Sequence, residues 1–229
     1  MLQQTQVARV IPKFAAFIAA FPDTKTLAAA PLADVLVLWS GLGYNRRAKF
    51  LHESAKMIER EFGGTMPATL AELQTLPGVG ANTAGAIMTY AYNQPVPFVE
   101  TNVRTVYLHH FFADETEVTD AQIRDLLQKT LPPNSPREFY WALMDYGTHL
   151  KAAGVRNNAK SRHYKKQSAL EGSLRQMRGL IVRDLTARDL AITELLDRYG
   201  DDARFAPAFE GLQKDGLIQQ NNTEVHLTK

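Results

Sequence analysis

The stretch of this sequence best suited to chemistry is Leu76-Pro77-Gly78-Val79-Gly80, followed at once by Ala81-Asn82-Thr83-Ala84-Gly85. A short apolar helix over residues 70–76 meets a Pro-Gly-x-Gly turn, and a helix of small residues begins directly after it. Gly78 and Gly80 can take backbone angles closed to other residues and let another surface come close. The second helix then presents unpaired N–H groups, and the positive end of its dipole, at an open turn. Such a terminus binds phosphate without any charged side chain. A tip made of Gly78, Val79, Gly80, Asn82 and Thr83 can therefore grip a nucleic-acid backbone whatever its base sequence. The same residues also suit an ordinary tight helical hairpin.

The elements that position this tip are read from the whole chain. Its 229 residues are 45% hydrophobic and 22% charged with a net charge of +2, a profile that suits one large domain or a medium domain with an appendage. A pI near 8.8 permits nucleic-acid binding without demanding it. The chain has no cysteine, which excludes disulfides and cysteine-bound iron–sulfur clusters. No apolar run reaches membrane-spanning length and no signal-peptide pattern opens the chain, so a cytoplasmic location without membrane contact is expected.

Helical periodicity dominates as far as Leu150, punctuated by Pro22-Asp23, Gly41-Leu42-Gly43, Gly63-Gly64, Pro77-Gly78, Asn93-Gln94-Pro95 and Pro132-Pro133. It predicts helices near 3–20, 31–39, 45–62, 68–75, 81–92, 101–112, 119–130 and 135–151. The first carries Val7, Val10, Ile11, Phe14, Ile18 and Phe21 at helical spacing. It is expected to be kinked or divided at Pro12, and the chain is expected to begin inside it. Trp39, Phe50, Leu51 and Met57 are read as core. Residues 155–172 form a basic linker or DNA-facing loop, or a merely solvated connection. Beyond it, helices near 173–185, 188–199 and 204–214 precede a two-stranded hairpin on an Asn221-Asn222 turn, the layout of a winged helix. That layout serves DNA binding or protein interaction. The fold class is thus mainly α, a helical bundle over residues 1–154 with a small winged-helix-like α/β unit over 173–229.

Four segments carry a more specific resemblance: Met1-Leu2-Gln3-Gln4-Thr5-Gln6-Val7, Trp39-Ser40-Gly41-Leu42-Gly43-Tyr44, Leu76-Pro77-Gly78-Val79-Gly80 and Met144-Asp145-Tyr146-Gly147. In this order they make residues 1–150 resemble the MutY-like adenine glycosylase branch of the helix-hairpin-helix (HhH-GPD) DNA glycosylases. The resemblance implies a helix-hairpin-helix glycosylase bundle and a monofunctional enzyme of base excision repair. Its substrate would be double-stranded DNA with a lesion or mismatch, most directly adenine opposite 8-oxoguanine or G. Removal of mismatched uracil or thymine, and DNA binding without catalysis, stay open as alternatives.

In that family a carboxylate after the hairpin stabilises the oxocarbenium-like sugar or positions the attacking water. The motif falls on Val99-Glu100-Thr101-Asn102-Val103-Arg104, with Glu100 where the family has aspartate. A glutamate favoured by the helix dipole is the structural alternative. Asn102 would orient the sugar or the water, or is simply a polar helix residue. Asn82 stands where bifunctional relatives carry a lysine. A neutral amide cannot form a Schiff base, so hydrolysis without AP-lyase activity is expected. Glu100, Asn102 and Asn82 are the implied catalytic set. A flipped base leaves a hole in the duplex, and the resemblance makes Gln4 and Tyr44 its wedges, with Leu2, Gln3 and Thr5 lining the lesion. Tyr44 as a core residue is the alternative. Arg46 and Arg47 are read as phosphate clamps or as surface charge.

The departures from the family also carry expectations. The acid that protonates the leaving adenine lies upstream of Met1 in the family, so either the natural chain starts further upstream or the acid is absent and the enzyme is slow. Where many relatives hold an iron–sulfur cluster, this chain has a basic loop, and Lys160, Arg162, Lys165 and Lys166 are expected to take over its DNA-positioning role. No cofactor is expected, beyond a potassium or sodium ion on the hairpin carbonyls. No metal site is expected, His109 and His110 included. Nothing in the sequence demands an oligomer, and a monomer is expected.

Overall fold

The computed structural model describes every residue except Gln4, His163 and residues 165–168. The expected DNA contacts Gln4, Lys165 and Lys166 lie outside the described residues. The chain packs as two compact units, one formed by Met1–Met66 with Ser168–Lys229 and the other by Pro67–Gln167. The division therefore does not follow the composition-based boundaries at 154 and 172. Residues 173–229 share one apolar cluster with the N-terminal helices, running from Val10, Leu36 and Trp39 to Met177, Leu195, Leu212 and Val225.

In the first unit, α1 (Val7–Ala20), α2 (Thr24–Ala29), α3 (Leu32–Trp39) and α4 (Arg46–Phe62) follow one another. α3 buries Leu32, Val35, Leu36 and Trp39 almost completely, each worth about 1.5–3 kcal/mol on transfer from water. Gln3, Thr5 and Gln6 are not helical, contrary to expectation, and α1 starts at Val7. The preceding segment is held by side chains instead: Arg47 donates to the carbonyls of Met1 and Gln3, and the Thr5 hydroxyl to Leu42 O. α1 is a single helix, not divided at Pro12, with Val10 before the proline and Phe17 after it both in the core. Its Val7, Ile11, Phe14 and Ile18 stand 44–63% exposed, so the amphipathic pattern overstates the core face. Leu51 is likewise exposed.

The C-terminal part adds α10 (Leu174–Ala187), β1 (Leu190–Ala191), α11 (Ile192–Tyr199), α12 (Phe205–Lys214), β2 (Ile218–Asn221) and β3 (Glu224–Leu227). The sheet is antiparallel with order β1-β3-β2, so the expected hairpin gains a third strand. Leu190 pairs with Val225, which keeps residues 188–191 extended where helix was expected. Asn221 pairs with Glu224, so the turn sits on Asn222-Thr223, with Asn222 at the left-handed φ of 53°. Helix–strand–helix–helix–hairpin is the winged-helix order.

The second unit holds α5 (Leu70–Thr75), α6 (Ala81–Tyr90), α7 (Thr101–His110), α8 (Asp120–Thr130) and α9 (Pro136–Ala152). Its core gathers Phe98, Val103, Leu108, Ile123, Leu127 and Tyr140. Arg104 pins α7 to α8 through a two-pronged bond to Asp120, at 2.9 and 2.8 Å. Among the described residues no helix is long and apolar enough to cross a membrane.

Candidate nucleic-acid interface and carboxylate site

Thr69 caps α5 by accepting from Glu72 N–H, and α5 ends at Thr75 before the hairpin turn. Gly78 holds φ at 75°, where a side chain would be strained, so the turn requires glycine there. Gly80 does not use this freedom: its φ is −88° and it serves as the N-cap of α6. A Cβ at Gly80 would meet nothing within 4 Å, so the fold leaves that space open. No side chain caps α6, and its first turn lies at an exposed surface. The result is a positively polarised helix end without a side-chain cap among the described residues.

Asn82, in that first turn, turns inward through its amide: Nδ2 donates to Val99 O at 3.0 Å. This ties the hairpin to the residue before Glu100. Tyr140 fixes the same segment from below. Its buried hydroxyl accepts from Phe98 N–H at 2.8 Å and donates to Phe98 O at 3.0 Å, while its ring stacks on Phe98 at 4.1 Å.

Glu100 is the N-cap of α7. Its Oε1 accepts from the backbone N–H groups of Asn102 and Val103 at 2.5 and 2.8 Å. No hydrogen bond to Oε2 is formed among the described residues, and the carboxylate is half-buried. The structural alternative, a helix-capping glutamate, is what the geometry shows, and it uses one of the two carboxylate oxygens. The nearby carboxylate, with burial, pushes the Tyr90 phenol up to about 12, burial being the larger cause.

Sequence reasoning missed the α9 face that surrounds Asn102. Met144 Sδ lies 3.6 Å from Asn102 Nδ2, and Lys151 Nζ donates to Asn102 Oδ1 at 2.5 Å. Between them, Gly147 touches Asn102 so closely that a Cβ would stand 2.7 Å from Asn102 Cβ and 2.8 Å from its carbonyl oxygen. Burial pushes the Lys151 ammonium below its ordinary value, and the Glu100 carboxylate opposes that. The signal was present as a lysine at i+4 from the glycine of Met144-Asp145-Tyr146-Gly147, on one helical face.

The first unit carries the other expected contacts. Gly41 and Gly43 take φ of 90° and 71°, and Tyr44 follows at 50°, a left-handed angle costly for a tyrosine. Trp39 Nε1 supports the turn by donating to Gly43 O at 3.1 Å. Arg47, expected as a phosphate clamp or as surface charge, is directed at its own chain. Its guanidinium donates to Met1 O, Gln3 O, Thr5 Oγ1, Leu42 O and Gly43 O, at distances from 2.6 to 3.3 Å. It also lies over the rings of Trp39 and Tyr44, so it clips Gln3 and Thr5 to the glycine turn. Arg46 is largely exposed, with Nε 3.5 Å from Asp215.

The basic loop of the second unit is partly committed. Val118 N–H donates to Lys160 O and Arg162 N–H to Val118 O, while Lys160 Nζ donates to Ala113 O. Arg162 is exposed. An iron–sulfur cluster does not fit these residues, which include no thiolate. Among the described residues no group of three His, Asp or Glu could hold a metal ion.

A helix-hairpin-helix tip without a side-chain cap, followed by a carboxylate-capped helix, belongs to a mainly helical scaffold of the DNA-glycosylase kind. Residues 1–133 match the HhH-GPD superfamily base excision DNA repair proteins, and the chain belongs to that family. It is 34% identical over 242 residues to an adenine DNA glycosylase of Mycolicibacterium smegmatis, covering 96% of this chain and 82% of that protein. It is 38% identical over 151 residues to the adenine DNA glycosylase of Buchnera aphidicola, there covering 64% of this chain but 42% of that protein. Among solved structures, a thermostable thymine-DNA glycosylase superposes with a TM-score of 0.61 at 23% identity, over 69% of this chain and 75% of that one. A trapped endonuclease III–DNA covalent intermediate superposes at 0.57 and 22%, over 65% and 70%. At these identities the two structures bear on the fold alone.

Proposed function

We propose that this chain is a monofunctional DNA glycosylase that hydrolyses the N-glycosidic bond of a flipped adenine opposite 8-oxoguanine or G. It would act as a cytoplasmic monomer without an iron–sulfur cluster. The observation that carries this reading is Glu100, an N-cap with one carboxylate oxygen left over, joined through Val99 and Asn82 to the bare hairpin. The adenine DNA glycosylases among its relatives favour adenine as the base.

In this reading the α6 terminus takes a phosphate and sets the sugar against Glu100. The free oxygen faces positive charge as it develops on the sugar, which is where a fixed carboxylate lowers the barrier. Asn102, held by Lys151, orients the sugar or the attacking water. Asn82 supplies no amine, so water completes the reaction and the strand stays intact.

Single-turnover excision tests this, using duplexes with A opposite 8-oxoguanine, A opposite G, U opposite G and T opposite G, each developed with and without alkali. The expected result is alkali-dependent cleavage at adenine that drops about 100-fold or more in Glu100→Gln. Fastest cleavage at uracil or thymine would move the substrate to a mismatched pyrimidine. Binding without any cleavage would make the chain a DNA-binding protein only. Strand cleavage without alkali, trapped by borohydride and lost in Lys151→Ala, would replace water by the Lys151 amine.

A further inference from the structure

The winged-helix part does not present the surface by which such folds usually read DNA. In a helix-turn-helix reader the recognition helix enters the major groove, and phosphate contacts by Lys and Arg supply most of the affinity. Here α12 occupies that place, and its exposed residues are Ala206, Pro207, Glu210, Gln213 and Lys214, one cation against one anion. Asp201 and Asp202 precede it. The β2–β3 hairpin exposes Gln219, Gln220, Asn221, Asn222, Thr223 and Glu224, with no Lys or Arg.

The other side of the same fold reaches the glycine turn of the bundle. Arg175, in the first turn of α10, donates from Nη1 to the Tyr44 hydroxyl at 2.5 Å, and its guanidinium lies over the Tyr44 ring with 5.2 Å to the centroid. Arg47 sits 5.5 Å from the same centroid. The Tyr44 ring is thus gripped by two guanidiniums, one from the bundle and one from the C-terminal part. Two more contacts fasten the two parts nearby. Lys49 Nζ donates to Asp215 O at 2.7 Å and Arg46 pairs with the Asp215 carboxylate at 3.5 Å, while Arg178 of α10 holds that carboxylate from within the winged helix at 2.5 Å. All three contacts join α4 or the turn before it to the winged helix.

We propose that the winged helix serves the glycosylase as a brace for its DNA wedge, with Arg175 as the positioning residue that sets Tyr44 for insertion into the duplex. This rests on the reading of the chain as a lesion-binding glycosylase and goes beyond it, since it assigns the C-terminal part a role at the lesion. The partner is duplex DNA opened at a lesion, and the reader of the opening is Tyr44, not α12. Arg175 acts in two ways. The charge-assisted bond fixes the phenol end of the ring, and the guanidinium offsets the cost of holding Tyr44 in a left-handed backbone conformation.

The test is binding to a duplex with a tetrahydrofuran abasic analogue and 2-aminopurine beside it, so that affinity and wedge insertion are read together. The proteins are wild type, Arg175→Ala, Arg175→Lys, Tyr44→Phe, the double variant Tyr44→Phe/Arg175→Ala, and Lys214→Ala on α12. Losing a charge-assisted hydrogen bond is worth roughly tenfold, so Arg175→Ala and Tyr44→Phe are each expected to weaken binding about tenfold and to dim the 2-aminopurine response. The double variant is expected to lose no more than Arg175→Ala alone, because that variant already removes the bond Tyr44→Phe would break. Arg175→Lys is expected to recover part of the loss, and Lys214→Ala to bind like wild type. Full affinity and signal in Arg175→Ala overturn the proposal, as do additive losses in the double variant. Loss confined to Lys214→Ala overturns it in favour of α12 as the reader. Wild type that does not prefer the abasic duplex over plain duplex removes the glycosylase reading itself. Wild-type preference alongside an indifferent Arg175→Ala removes only this inference.

Discussion

Gly147→Ala should separate α7 from α9 at the place where Asn102 is held. The added Cβ would stand 2.7 Å from Asn102 Cβ, 2.8 Å from its carbonyl oxygen and 2.9 Å from its Cα, while ordinary contact begins near 3.4 Å. Two of these three atoms are backbone, so no side-chain rotation relieves the clash and the helices must part by about 0.7 Å, the difference between 3.4 and 2.7 Å. Overpacking of this kind costs about 1–3 kcal/mol, against a gain of up to about 1 kcal/mol from replacing glycine inside a helix. The net loss is about 1–2 kcal/mol, which lowers the melting temperature by roughly 2–8 °C in a chain of this size. Gly179→Ala is the matched control. It lies inside α10, where a Cβ meets nothing within 4 Å, so only the propensity gain of up to about 1 kcal/mol remains and its melting temperature should rise. Activity should split the same way. A displacement approaching 1 Å beside Asn102 and Glu100 is worth about 100-fold in single-turnover rate, while Gly179→Ala should cleave like wild type. Thermal unfolding and excision at a temperature where all three proteins are folded give both numbers. If Gly147→Ala melts and cleaves like Gly179→Ala, the close approach of the two helices is not what holds Asn102.

Gly80→Ala should leave the melting temperature unchanged or slightly raised, because φ at that residue is ordinary and the space is open. The methyl group would still stand between the α6 terminus and a phosphate, so duplex binding should weaken about tenfold or more; unaltered binding would mean that the backbone of DNA does not approach the hairpin. His52 gives a pH dependence. It is almost fully buried, its Nε2 donates to Ala30 O at 2.9 Å, and Nδ1 has no partner among the described residues. Burial, with Lys56 nearby, holds its pKa below the usual 6.5. The unfolded chain therefore binds the proton first, so the stability gained from keeping His52 neutral is complete above 6.5 and is lost as pH falls from there through the folded value. Melting curves between about pH 7 and pH 5 should show wild type losing more than His52→Gln, and parallel losses would show that His52 contributes nothing.

Much of this fold could be read locally. The hairpin was legible because Pro-Gly-x-Gly stops one helix and starts another within five residues, and long amphipathic helices such as α4 and α9 announce themselves by periodicity. α2 escaped because six residues make too short a periodic run. Its one local mark was the Asp23–Thr26 capping box. β1 escaped for a related reason: two residues become a strand only because Leu190 finds Val225, far along the chain. The division into units was equally hidden, since the shared cluster of Trp39 with Met177 and Leu212 depends on packing between distant segments.

The site shows the same boundary between local and distant information, and residue type alone sorts its cations poorly. Arg46, Arg47 and Lys160 read alike in sequence, as charges suited to phosphate, and Lys151 and Arg175 drew no reading at all. In the structure Arg47 is spent on five oxygen atoms of its own chain and Lys160 on the Ala113 carbonyl. Lys151 holds Asn102, and Arg175 holds Tyr44 from 131 residues away. A cation that serves DNA directly needs free donors, whereas one that serves it through another residue needs a partner already at the interface. Under the proposed function, Arg47, Lys151 and Arg175 are of the second kind, and their neutral variants should alter where Asn102, Tyr44, Gln3 and Thr5 stand before they alter how strongly salt weakens binding.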